Sequence, residues 1–223
     1  MSSEIIDENV LIIDDFLPEK LAEEIEMELL DRAFPWFWVP ATCDVESSGV
    51  HTCEGLLMED SFQFTHGFFR DNEVESDRAN LPMELFHRVV GKLDVGKVML
   101  FRLKSNLNVR ESENTRVLLP HYDITNMLRN DETGKLLNDF ISFIYYVNDS
   151  DGDTFVYIEN EFDKNLTIKE TISPKKNRLV VFNSRSIHAG STPVINDRRI
   201  IINGIIKCKD LLSNNIIKHK TID

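Results

Sequence analysis

His121-Tyr122-Asp123 is the stretch of this chain best equipped for chemistry. It closes Arg116-Val117-Leu118-Leu119-Pro120, a run that reads as a β-strand. Successive strand side chains point to opposite faces, so His121 and Asp123 share one. An imidazole and a carboxylate side by side make two thirds of a facial metal site. His188, on a later part of the chain, is the best candidate for the missing third. Two His and one carboxylate with open positions suit Fe(II) in oxygen-activating enzymes. His-X-Asp by itself is a weak signal, with a surface turn as the plain alternative, so the surroundings decide.

Holding three such side chains on one ion requires a rigid sheet. From residue 97 the apolar pattern turns strand-like, with expected strands at 98–103, 116–123, 140–147, 154–158, 166–172, 178–182 and 199–206. Asn148-Asp149-Ser150-Asp151-Gly152-Asp153 is a strong turn among them. Upstream, Val10 to Ile13 reads as a short strand. A helix entered at Asp14 to Pro18 follows, with Leu21, Ile25, Leu29 and Leu30 at helical spacing. A second helix opens at Leu81-Pro82, carries Leu85, Phe86, Val89, Val90 and Leu93, and ends between Gly91 and Gly96. Helices followed by many strands predict an α+β fold. We expect a double-stranded β-helix (jelly roll) with the N-terminal helices packed on one sheet.

Residues 34–75 are harder to read. Phe34-Pro35-Trp36-Phe37-Trp38-Val39-Pro40 is an aromatic cluster, favoured as core packing over a substrate-cleft cover. Cys43, His51 and Cys53 lack the two-to-four-residue spacing of structural zinc ligands. His66 lies in a strand-or-loop segment, and His87 is incidental on the second helix. Thr125 to Asp139, directly after His-X-Asp, is polar and suits either a mobile lid or a surface excursion.

Composition narrows the partners. The net charge of −13 over 223 residues repels phosphate backbones, so nucleic acid is disfavoured and no anionic membrane is expected. Three widely spaced cysteines suit a reducing compartment. The acidic N-terminus lacks the basic flank of a signal peptide, and no apolar run approaches the ~20 residues of a membrane helix. The expected setting is cytoplasmic. Gly134-Lys135 fails as a phosphate loop because Arg129 and Leu136 stand where Gly and Ser/Thr are required. A dinucleotide glycine motif and a Gly-X-Ser-X-Gly elbow are both absent.

His188-Ala189-Gly190 follows the expected strand 178–182, and Arg199-Ile200-Ile201-Ile202-Asn203 comes after it. Arg199, Ile201 and Asn203 share a face. An inward Arg on a buried strand is costly unless a carboxylate pairs with it, and a diacid ligand could be that partner. Arg198 is the rival, since only one of the two can point inward.

At this point the chain resembles the Fe(II)/2-oxoglutarate-dependent oxygenase superfamily, on the prolyl 4-hydroxylase side. The likeness covers about residues 97–207. It rests on an ordered set: His121-Tyr122-Asp123, Ile144-Tyr145-Tyr146-Val147-Asn148, Ser173-Pro174, Leu179-Val180-Val181-Phe182, His188-Ala189-Gly190 and Arg199. Phe101 to Leu107 also looks like the segment before His-X-Asp in uncharacterised members encoded by tailed phages, which would place the chain in a host cytoplasm. The entry Ile12-Ile13-Asp14-Asp15-Phe16-Leu17 is similar to the start of many such domains. Gly152-Asp153-Thr154 departs from the frequent Gly-Gly-Thr and puts the hairpin shape there in question.

The resemblance implies that His121, Asp123 and His188 hold the iron. It implies that Arg199 pairs with the distal carboxylate of 2-oxoglutarate and that Tyr146 hydrogen-bonds the same group. O2 is the co-substrate, and ascorbate is an admissible reductant. Asp123 points to hydroxylation, because related halogenases lack that carboxylate. The expected organisation is 1–96 as a strand and supporting helices within the same domain, 97–207 as the jelly-roll catalytic core, and 208–223 as a C-terminal tail. A peptide or protein side chain is the expected substrate, with a small molecule open; the sequence does not speak to oligomeric state. Two alternatives stand beside this reading. One is a non-catalytic jelly-roll binding or structural module. The other is a cupin-like metalloenzyme that does not use 2-oxoglutarate.

Overall fold

Two runs of β-branched and aromatic residues set the frame. Phe140–Tyr146 is buried at every position, and Arg198–Cys208 at nearly every one. Strands buried on both faces belong at the centre of a covered sheet. The computed structural model describes residues 3–7, 10–42, 52–53, 56–57, 60–93, 96–124, 140–159, 161–162 and 165–208. In chain order the elements are β1 (Ser3–Asp7), β2 (Val10–Ile13), α1 (Glu19–Leu30), β3 (Phe37–Val39), β4 (Thr52–Cys53), β5 (Leu56–Leu57), β6 (Gln63–Arg70), β7 (Glu73–Val74) and α2 (Asn80–Leu93). They continue as β8 (Val98–Val109), β9 (Phe140–Tyr146), β10 (Thr154–Tyr157), β11 (Asn165–Leu166), β12 (Ile168–Ile172), β13 (Arg178–Asn183), β14 (His188–Gly190) and β15 (Arg198–Cys208).

The large sheet runs β1-β2-β13-β9-β15-β8-β6-β3, with β7 on β6. A second sheet runs β12-β10-β14, and β11-β4-β5 form a third, small one. Mostly β structure, with two helices among the described residues, is consistent with a jelly-roll fold. The faces of the large sheet have different partners. Leu103, Phe143, Tyr145, Leu179 and Ile202 cluster with Ile25 and Leu29 of α1 and Leu85 and Val89 of α2. On the other face Ile144, Tyr146, Val180, Phe182 and Ile201 pack with Val156 and Ile172 of the second sheet. That inner face is where a site between the sheets can form.

Some local expectations change. Residues 116–123 do not form a continuous strand. They touch the second sheet through isolated bridges, Val117 with Ser191 and His121 with His188. Pro120 has no N–H to give a ladder, which interrupts the run. The expected strand 166–172 is divided into β11 and β12, and β8 extends six residues past the expected end, to Val109. The difficult 34–75 region supplies β3 and β6, which widen the large sheet beyond β8. Its aromatic cluster is core only in part. Trp36 packs on the core and donates its indole N–H to Leu29 O at 3.3 Å, while Phe37 and Trp38 are exposed. Cys43 and His51, on which the zinc question turns with Cys53 of β4, and the 125–139 segment lie outside the described residues.

Candidate metal centre

The sheet pairing brings the two histidines together. His121 N–H donates to His188 O at 2.9 Å, and His188 N–H donates to His121 O at 3.1 Å. Their rings stand 4.5 Å apart. Each ring fixes its own orientation locally. Nδ1 of His121 bonds Leu119 O at 3.2 Å, and Nδ1 of His188 bonds Ser186 O at 3.0 Å. A carbonyl only accepts, so Nδ1 carries the proton in both rings and Nε2 keeps its lone pair. The ligand atoms of His121, Asp123 and His188 lie within 4.8 Å of one another. Drawing in by about 1 Å would bring all three to an ion at about 2 Å.

Asp123 is held from behind on both oxygens. Arg102 Nη2 donates to Oδ1 at 2.9 Å, and Asn203 Nδ2 donates to Oδ2 at 3.2 Å. Arg102 also reaches Asn203 Oδ1 at 2.9 Å, which ties the two supports together. Burial raises the carboxyl pKa, but His188, Arg102 and His121 outweigh it and the net direction is down. Burial, followed by the neighbouring His188, pushes His121 down to about 3. A neutral His121 beside an ionised Asp123 is the protonation state that metal binding demands. The donor set and its supports therefore fit a divalent ion.

Further along the same face lies Arg199. Arg198 is exposed at the start of β15, whereas Arg199 points inward and is only 3% exposed. Among the described residues no carboxylate forms an ion pair with it. Its Nη2 donates to Thr154 Oγ1 at 2.7 Å and its Nη1 reaches Asn108 Oδ1 at 3.4 Å. Tyr146 OH donates to the same Thr154 Oγ1 at 2.6 Å. The Thr154 hydroxyl thus accepts twice, and its own proton is left to donate elsewhere. Burial lowers the Arg199 pKa and raises that of Tyr146. Gly190 sits over the guanidinium, where a Cβ would lie 3.5 Å from Nη1. The Nε of Arg199 and Nδ2 of Asn108 are buried without a hydrogen-bond partner, a pattern that calls for a ligand or water.

His66 and His87 take no part. His66 is buried on β6, with its nitrogens on Pro35 O at 2.8 Å and Ser76 Oγ at 2.7 Å. His87 is exposed on α2. Sequence reasoning passed over Arg102 and Lys104. The available signal was the alternation Arg102-Leu103-Lys104-Ser105-Asn106-Leu107-Asn108, which puts four polar groups on one strand face.

Residues 107–207 match the family model of the 2OG-Fe(II) oxygenase superfamily. No curated protein matches the chain. Among solved structures, an oxidoreductase of the 2OG-Fe(II) oxygenase family from Burkholderia pseudomallei is similar, with a TM-score of 0.59 at 10% identity over 89% of this chain and 85% of that one. A prolyl hydroxylase from Trichoplax adhaerens, in complex with a hypoxia inducible factor oxygen degradation domain peptide fragment, gives 0.55 at 14% identity over 90% and 84%. HygX from Streptomyces hygroscopicus, with nickel, 2-oxoglutarate and hygromycin B bound, gives 0.54 at 13% identity over 91% and 83%. The 2OG-Fe(II) oxygenase family uses Fe(II), 2-oxoglutarate and O2.

Proposed function

We propose that this chain is an Fe(II)- and 2-oxoglutarate-dependent dioxygenase that hydroxylates a peptide or protein side chain. The observation that carries the reading is a pairing on one strand. β15 presents Asn203 beneath Asp123 of the triad and, farther along the same face, the unpaired buried guanidinium of Arg199. About 13 Å of strand, at roughly 3.3 Å per residue, separates the two. An Arg side chain and a five-carbon diacid together bridge that gap.

His121, Asp123 and His188 would hold the iron, and their facial arrangement leaves positions open for ligands. Iron and 2-oxoglutarate, when bound, supply oxygen activation through oxidative decarboxylation of the keto acid to succinate and CO2. Arg199 would pair with the distal carboxylate of the keto acid. The free proton of Thr154, itself held by Arg199 and Tyr146, adds a second donor. Ile144, Val156, Phe182 and Ile201 line the interior between the sheets and exclude water from it. The peptide assignment is supported by prolyl hydroxylases among the similar folds, one of them holding a peptide. A reducing cytoplasm suits the buried Cys208 thiol.

The test is aerobic incubation with Fe(II) and 2-oxoglutarate, reading succinate. Turnover above the protein-free rate, lost in Asp123→Ala, is expected. Folded, iron-loaded protein that yields no succinate, with or without candidate peptides, would overturn the assignment.

A further inference from the structure

β8 carries a cation that the reading above does not use. Lys104 lies between Arg102 and Asn106 on the inner face and pairs across the ladder with Asn203 on one side and Gly67 on the other. Directly opposite residues of a sheet share a face. Lys104 therefore rises from the same side as Arg102 and Asn203, the two residues that hold Asp123. Lys104 is thus the ladder neighbour of both supports of Asp123, and its charge acts on Asp123 and His121.

Among the described residues this ammonium makes no hydrogen bond and no ion pair. Arg102 and Asn203 donate to the two oxygens of Asp123, and Lys104 makes no bond to that carboxylate. Glu75, whose carboxylate lies over Gly67, faces Arg70 at 3.8 Å instead. Burial, then the charge of Arg102, pushes Lys104 down to about 8, with Arg70 acting the same way and Asp123 opposing. Lys104 is half-buried on that face, and a cation with no partner among the described residues is free to take an anionic one from a ligand. Loading the site does not supply that ligand. The charges of divalent iron, Asp123, a dianionic keto acid and Arg199 cancel one another, so none of them is left over for Lys104.

We propose that Lys104 anchors an anionic group of the substrate, a carboxylate or a phosphate, beside the open face of the metal triad. This rests on the oxygenase reading and adds to it a substrate class: molecules with an anionic oxygen group close to the carbon that is hydroxylated. A point charge fixed next to the metal orients that carbon toward the open position.

The experiment uses the full chain loaded with Mn(II) and 2-oxoglutarate, since manganese holds the keto acid without turning it over. Mn(II) uptake is read first from loss of the free-ion electron paramagnetic resonance signal. Inorganic phosphate and carboxyl-labelled acetate are then titrated separately, reading paramagnetic relaxation of 31P and 13C. Saturable relaxation is expected for at least one anion, and the responding arm identifies phosphate or carboxylate as the source. Lys104→Met should weaken that affinity about tenfold or more, Lys104→Arg should retain it, and the remote Lys175→Met should leave it unchanged. No saturable relaxation in the wild type, or equal affinity in Lys104→Met, overturns the proposal while the oxygenase reading stands. A Lys104→Met variant that loses 2-oxoglutarate affinity but keeps the anion also overturns it, because the lysine would then serve the keto acid. Failure of Mn(II) to bind at all sinks the oxygenase reading, and this inference with it.

Discussion

His121 and His188 hydrogen-bond each other's backbones in both directions, at 2.9 and 3.1 Å. Their spacing is thus a property of chain pairing and exists before any ion arrives. Metal binding should then stabilise a fold that is already complete. A metal at 100 times its dissociation constant adds about 2.7 kcal/mol to unfolding. Thermal melts with Mn(II) should show that gain in the wild type and lose it in His121→Ala, with unchanged apoprotein circular dichroism in both.

Arg199 and Arg198 are adjacent in sequence and opposite in exposure. A charge-assisted hydrogen bond contributes about 1.5–3 kcal/mol, which corresponds to roughly a 10- to 100-fold change in affinity. Arg199→Ala should weaken 2-oxoglutarate binding by that factor, and Arg198→Ala should leave it unaltered. Calorimetric titration of the keto acid onto metal-loaded protein separates them. An equal loss in both variants would reassign the carboxylate partner.

Arg102 and Asn203 support Asp123 without reaching the ion themselves. Loss of such outer partners typically costs about 10- to 100-fold in metal affinity or activity. Asn203→Ala and Arg102→Met should each fall in that range. The double variant should cost less than the product of the two, because Arg102 also bonds Asn203. Competition with a metal-sensitive dye measures all three.

Acid stability should depend on Asp14. Its carboxylate takes Arg178 Nε at 2.6 Å and Lys175 Nζ at 3.1 Å. The Arg178 hydrogen bond leads in holding its pKa at about 2. The folded pKa is depressed, so the contribution is full above the unfolded value near 4. It is lost as pH falls from about 4 toward 2, and amounts to about 2 kcal/mol. Urea unfolding at pH 6 should show Asp14→Asn less stable than the wild type. The gap should close by pH 2.

Much of this arrangement was legible in the sequence, because period-two patterns and a short motif carry face information directly. Arg199 with Asn203 on one face of β15 follows from alternation alone, and the short spacing of His121 and Asp123 marked them as neighbours. The strand expected at 116–123 was not legible as it stands, since its contacts are two isolated bridges around Pro120. β3 escaped detection because Pro35 and Pro40 hide its alternation, and β6 was legible only as strand or loop because its run mixes aromatic and polar residues. Lys104 and Arg102 were missed for a different reason. A polar strand face reads as solvent-exposed until the opposite sheet is known to cover it.

Anaerobic titration of Fe(II) and 2-oxoglutarate into the apoprotein tests the central claim most directly. A keto acid chelated to Fe(II) gives a visible charge-transfer absorption. That absorption is predicted to saturate at one equivalent in the wild type and to be absent in His188→Ala. A wild-type protein that binds neither partner, or a His188→Ala variant with the same absorption, would contradict it.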